Sequence, residues 1–146
     1  MGKKKKAVIR VVLDTNVILS AVLFRGKLSP ILELWKKGRI GPVFSRETFQ
    51  ELQEALLYPK FALTSPEIKM ILEEEILPFF SVVEDTAGLT GLCKDPDDDK
   101  FLSCAISASA HFLVSGDKDL RNIGKYRSVR ILQPSDFLKK CKPDAE

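Results

Sequence analysis

Residues 7–14 read Ala7-Val8-Ile9-Arg10-Val11-Val12-Leu13-Asp14, a β-branched, nearly unbroken apolar run that stops on a carboxylate. Such a run predicts a strand covered on both faces, because a strand with one wet face would alternate polar and apolar residues. Beyond it the chain alternates helix and strand patterns. Residues 16–24 read as a helix with a turn at Gly26. Ser29 then reads as an N-cap with Pro30 at the first helical position, opening a helix to Lys37. Pro42, Val43 and Phe44 make a short second strand. Ser45 caps a helix carrying Phe49, Leu52 and Leu56 at three- and four-residue spacing, closed by Pro59. Ser65, Pro66 and Glu67 open another, with Ile68, Ile71, Leu72 and Ile76 inward, up to Pro78. Residues 80–83 form a third strand, and the acidic run at 95–99 leads into a helix with Phe101, Leu102, Ala105, Ile106 and Ala108, His111 lying at its C-terminal end. Residues 112–115 and 129–132 complete the strands, and residues 134–140 a last helix. This alternation predicts an α/β fold: a central parallel sheet of about five strands with helices on both faces. No repeat or linker divides it. Residues 7–140 read as a single domain between a basic tail at 1–6 and a C-terminal tail at 141–146.

Composition narrows the chemistry. The 146 residues suffice for one ordinary domain, and 45% apolar with 29% charged residues is globular usage. No run approaches the roughly 18 apolar residues of a membrane span, so no membrane association is expected. The apolar segment behind Lys3 to Lys6 meets Asp14 too soon for a signal-peptide core. Setting those four lysines aside takes the net charge from +3 to −1, so total charge does not argue for nucleic-acid binding. Its distribution says more: residues 67–99 hold ten acids against two lysines, and residues 118–130 five bases against one acid. The three cysteines, Cys93, Cys104 and Cys141, lack metal-ligand spacing and suit reduced thiols in a cytoplasm. A single histidine, His111, excludes zinc sites that need two or more.

The acids fall in telling places. Asp14 follows the first strand and Asp117 the fourth, and open parallel sheets bind ligands beyond the carboxyl ends of their strands where strand order reverses. If those strands are neighbours, the two carboxylates converge, and an all-oxygen cluster suits a hard cation such as Mg²⁺ or Mn²⁺. The plainer reading is that Asp14, Asp117 and the run at 95–99 cap helices. Four aspartates in that run exceed what one cap requires, and of Glu47, Glu51 and Glu54 on one helix at least two should face solvent.

The chain resembles a PIN domain, especially small stand-alone prokaryotic members that serve as VapC-like toxins of toxin–antitoxin pairs. The resemblance is carried by Val12-Leu13-Asp14-Thr15-Asn16-Val17-Ile18-Leu19-Ser20 and Ser45-Arg46-Glu47-Thr48-Phe49-Gln50-Glu51-Leu52. It continues in Asp95-Pro96-Asp97-Asp98-Asp99-Lys100-Phe101-Leu102 and Leu113-Val114-Ser115-Gly116-Asp117-Lys118-Asp119-Leu120. It implies a three-layer sandwich with a carboxylate groove that binds Mg²⁺ or Mn²⁺, and cleavage of single-stranded RNA. Residue by residue it implies Asp14, Glu51, Asp99 and Asp117 as catalytic metal ligands, with Asp98 the rival to Asp99 by one position. Asn16 and Ser115 match frequent polar neighbours, serine replacing the commoner threonine, and Asp119 a less regular acid. Bound metal would lower the pKa of water and neutralise phosphate charge. The resemblance also implies RNA as substrate and leaves room for an antitoxin partner and a homodimer.

Arg121, Lys125, Arg127 and Arg130 are expected to form a phosphate-contacting rim, with Lys3 to Lys6 a solvated tail. The aromatic residues fall mostly at core spacing and suggest no base-stacking platform. Haloacid-dehalogenase chemistry needs an acid where Asn16 stands, a receiver domain needs one where Leu13 stands, and an EF-hand needs glycine where Lys100 stands. The alternative of another class is an inactive PIN-like module that binds RNA or protein. Four mutually repelling carboxylates argue against it, because binding alone does not require them.

Overall fold

The computed structural model describes residues 8–24 and 26–141. Apart from Cys141, the two tails lie outside the described residues. A six-stranded sheet runs in the order β3-β2-β1-β4-β6-β5. Its strands are β1 (Ile9–Leu13), β2 (Ile40–Phe44), β3 (Ser81–Val82), β4 (Phe112–Val114), β5 (Lys125–Tyr126) and β6 (Val129–Leu132). All pairings are parallel except β5 with β6. That hairpin adds a sixth strand to the five expected: Arg127 turns the chain at φ 54° and carries the two-residue edge strand back along β6. A two-residue strand is too short to announce itself by periodicity.

Within β1, alternate side chains serve opposite layers. Val11 and Leu13 join Ile18, Trp35, Phe44 and Phe137 on one face, and Val12 joins Leu102, Leu113, Leu120 and Val129 on the other. This is the three-layer sandwich, and it explains why β1 is apolar without alternation from Val11 to Leu13. The first face is stiffened by aromatic packing: Phe80 stacks on Phe44 at 4.4 Å and meets Trp35 edge-on at 5.1 Å. Against the sheet lie α1 (Thr15–Leu23), α2 (Ser29–Lys36), α3 (Arg46–Leu56), α4 (Ser65–Met70), α5 (Asp99–Ser107), α6 (Lys118–Ile123) and α7 (Pro134–Cys141). None of the described helices is long and apolar enough to cross a membrane.

Several helix ends differ from expectation. Ser29 is the first residue of α2 rather than its cap, and its hydroxyl donates to the Gly26 carbonyl at 2.9 Å. α4 does open at Ser65, and Thr64 caps it in a reciprocal capping box with Glu67. The helix then widens over Ile71–Ile76 into wider, five-residue hydrogen bonding, as in Leu77 N–H to Leu72 carbonyl at 2.8 Å. His111 does not end α5, which stops at Ser107; it precedes β4, where its Nδ1 accepts from the Arg10 N–H. The last helix extends through Cys141, one residue into the expected tail.

Candidate active site

Strand order reverses between β1 and β4, the pair from which the chain winds outward in opposite directions. Their register sets Leu13 opposite Val114, so the residues after each strand, Asp14 and Ser115, meet beyond the sheet. Asp14 is buried and caps α1, Oδ1 accepting from the Val17 N–H at 2.8 Å, while Oδ2 accepts from the Ser115 hydroxyl. Ser115 in turn accepts from the Asp117 N–H at 2.9 Å, tying the two strand ends together. Asp117 caps α6 through Oδ1 alone, which accepts from the Asp119 and Leu120 N–H groups. Both aspartates are therefore caps, as the plainer reading held. Capping consumes only part of each carboxylate, and both also line one open groove of about 740 Å³.

Seven carboxylates line this groove (Asp14, Glu51, Glu54, Asp95, Asp97, Asp98 and Asp117) against one ammonium, that of Lys100. Burial pushes Asp14 above the ordinary carboxylate range; its bonds from Ser115 and Val17 oppose the rise, and the charges of Asp117 and Glu51 add to it. Asp98 is pushed up to about 7, first by burial and then by the neighbouring charges of Asp117, Asp95 and Asp14. Its Oδ2 is buried and has no hydrogen-bond partner. A buried carboxylate oxygen left without a partner among other carboxylates fits a cation, which would satisfy the orphaned oxygen and offset the repulsion. Among the described residues no three acidic, histidine or cysteine side chains already close round a point, so the carboxylates border the groove rather than form a finished cage.

Asp99 is not among the groove residues. Its carboxylate turns to the preceding loop, Oδ2 accepting from the Gly91 N–H at 2.9 Å and Oδ1 from Leu92 and Cys93 at 3.2 and 2.8 Å. Burial works against its charge, but the Cys93 thiol and the three N–H groups outweigh it and hold Asp99 below the usual range. Asp98 takes the groove position instead. The cause is a single tight turn, Pro96–Asp98, which rotates the chain just before α5 begins and shifts the facing residue by one.

Glu51, on α3, reaches the groove with both oxygens engaged: Oε2 accepts from the Thr15 hydroxyl, and Oε1 pairs with Lys100 Nζ at 2.6 Å. Burial alone would lower the Lys100 pKa, but Glu51 and further acids raise it. Thr15 and Lys100 are groove neighbours of Glu51 to which the sequence reading gave no role; the base directly after the acidic run was the available signal. Asn16 is exposed on the groove wall, whereas Asp119 supplies only a backbone N–H to the Asp117 cap.

The basic rim is not assembled. Lys125, Arg127 and Arg130 lie on the β5–β6 hairpin, and Arg130 is level with Phe112 at the start of β4, the end of the sheet away from Asp117. The Arg127 guanidinium packs over Tyr126 at 5.1 Å. Arg121 is nearer, but its Nη1 donates to Gln133 and it does not line the groove. A basic segment contiguous in sequence is folded away from the acids because the hairpin runs back along β6.

Residues 10–119 match the PIN domain family. The chain belongs to that family. An uncharacterized protein of Methanocaldococcus jannaschii is 31% identical over 150 aligned residues, spanning 94% of this chain and 95% of its own. Two solved PIN structures share the fold at lower identity. VapBC2 from Rickettsia felis, bound to a DNA fragment from its promoter, matches at TM-score 0.56 and 16% identity, covering 86% of this chain and 98% of that one. The PIN domain endonuclease Utp24 matches at TM-score 0.52 and 20% identity, covering 85% and 84%. This PIN domain therefore has the α/β sandwich of its relatives, with its carboxylates at the strand-order reversal.

Proposed function

We propose that this PIN domain is a metal-dependent ribonuclease that hydrolyses phosphodiester bonds of single-stranded RNA. The observation that carries the reading is the buried, unpartnered Oδ2 of Asp98 in the groove at the reversal point, a carboxyl whose pKa is raised first by burial and then by the charges of Asp117, Asp95 and Asp14. A folded chain that only bound a partner would have no use for this unrelieved repulsion. Asp14, Asp98 and Asp117, with Glu51, would hold Mg²⁺ or Mn²⁺. When bound, the metal supplies an activated water and neutralises charge on the phosphate and leaving oxygen. The chain's own groups do the rest. Ser115 fixes the Asp14 carboxylate, the α1 and α6 caps fix the carboxylate rotamers, and Asn16 stands exposed on the wall where it can hydrogen-bond water or a phosphate oxygen. A toxin role, an antitoxin partner and a homodimer are part of this proposal through the resemblance, and VapBC2 supports the first two by its fold alone. Labelled single-stranded RNA incubated with the protein should be cut in Mg²⁺ or Mn²⁺ and spared in EDTA. Binding without cleavage in any divalent ion would favour the inactive module.

Lys100 matters to the same reading, because its ammonium occupies the cation position beside Glu51. Lys100→Met is expected to tighten Mn²⁺ binding by roughly tenfold, since it removes a like charge from the groove. Isothermal calorimetry checks this; unchanged or weaker binding would show that Lys100 and the metal do not compete for Glu51.

A further inference from the structure

Beside the acidic groove lies a second concavity of about 490 Å³, between α1 and the turn that follows α3. Asn16 borders both. Three aromatic rings connect them. Tyr58 lines the acidic groove, lies nearly parallel to Phe61 with ring centres 6.4 Å apart and planes at 10°, and Phe61 meets Phe24 at 6.4 Å. Tyr58 is 51% exposed and Phe24 56%, a large apolar outlay at the surface of a protein whose other aromatic residues include the buried Trp35, Phe44 and Phe137. Tyr58 and Phe61 stand on one tight helical turn, Pro59–Phe61, closed by Phe61 N–H to Tyr58 carbonyl and Ala62 N–H to Pro59 carbonyl, both 3.0 Å, while Phe24 caps the C-terminus of α1. Lys60, on the same turn, holds its ammonium 5.2 Å from the Phe61 ring centre.

We propose that Tyr58, Phe61 and Phe24 form a stacking platform for unpaired bases of the strand whose phosphate lies at the carboxylates. The inference rests on the ribonuclease reading and names how its substrate is held. Base faces are flat and apolar and their edges polar. The second concavity matches that pattern in composition, lined by Phe24 and Phe61 together with the polar Asn16, Ser20 and Lys60. The wall shared with the acidic groove at Asn16, with Tyr58 on the groove side, favours a nucleic acid over a protein helix, which would leave Tyr58 and the acidic end uncovered. Lys60 adds a positive charge where the strand leaves the carboxylates. Selection of unpaired strands follows, because bases in a duplex are stacked on each other and unavailable to the rings.

Fluorescence anisotropy in Ca²⁺ buffer, with the RNA checked intact on a gel, tests this. The probes are a labelled oligoadenylate and an abasic strand of the same length. Wild type should bind the oligoadenylate about tenfold or more tightly than the abasic strand. Tyr58→Ala with Phe61→Ala should lose that preference without changing affinity for the abasic strand, and Tyr58→Phe should retain it. An unchanged melting temperature establishes that the double variant is folded. Three results would overturn the platform: no base preference in wild type (expected if the rings serve a protein partner), no change in the double variant, or equal weakening on both strands. Base preference without cleavage in Mn²⁺ would refute the ribonuclease reading alone; cleavage with an unchanged double variant would refute the platform alone.

Discussion

Asp98→Asn is expected to reduce RNA cleavage by about a thousandfold or more while leaving the metal-free protein at least as stable as wild type at neutral pH. The loss follows from removing a charged ligand where the metal would contribute several kcal/mol to the transition state. The stability follows from the sign of the titration. Asp98 is raised from 3.8 to about 7, so between those values the folded protein binds more protons than the unfolded chain. Wild-type stability therefore falls as pH rises through that window, and the loss is fully present above it. Asparagine removes the charge and the penalty, so its advantage should be greatest near pH 8 and vanish towards pH 4. Melting curves of the metal-free proteins across that range check it. A variant less stable than wild type at pH 8 would show that Asp98 is a structural group.

Asp99→Asn should behave in the opposite way, costing stability but not chemistry. One asparagine oxygen cannot replace two carboxylate oxygens facing the Gly91, Leu92 and Cys93 N–H groups, and the new amide would point donors at donors. The expected cost is about 2–3 kcal/mol, or a melting temperature lower by roughly 5–10 °C. Cleavage per folded molecule should change less than tenfold. Because the Asp99 pKa is depressed in the folded state, its contribution is present above the ordinary carboxylate value and fades as pH falls through the folded one. A thousandfold activity loss with unchanged melting would exchange the roles assigned to Asp98 and Asp99.

These paired expectations mark where the sequence was legible and where it was not. The alternation of elements from β1 onward, and the apolar strand ending on Asp14, specified a sheet with Asp14 and Asp117 at strand ends. The register of β1 against β4 turned that into contact through Ser115. Facing at 98 or 99 depended on one tight turn at Pro96–Asp98, whose rotation has no periodic signature. The basic rim failed for a similar reason: charge clustered along the chain says nothing of which sheet end it occupies, and a two-residue strand reversed it. The platform was hidden because Phe24, Tyr58 and Phe61 fall at spacings that also suit a core. Only the fold shows that Tyr58, after α3, and Phe24, at the end of α1, stay uncovered.

The most direct test of the central claim, that the reversal-point carboxylates are a cation site, is the Mn²⁺-induced melting shift of wild type against Asp117→Asn. Asparagine caps a helix nearly as well as aspartate, so α6 should survive the change. Selective binding to the folded state at about 100 times the dissociation constant stabilises by about 2.7 kcal/mol, a rise of roughly 5–10 °C. The account predicts that shift in wild type and its near-complete loss in Asp117→Asn; equal shifts in both proteins would contradict it.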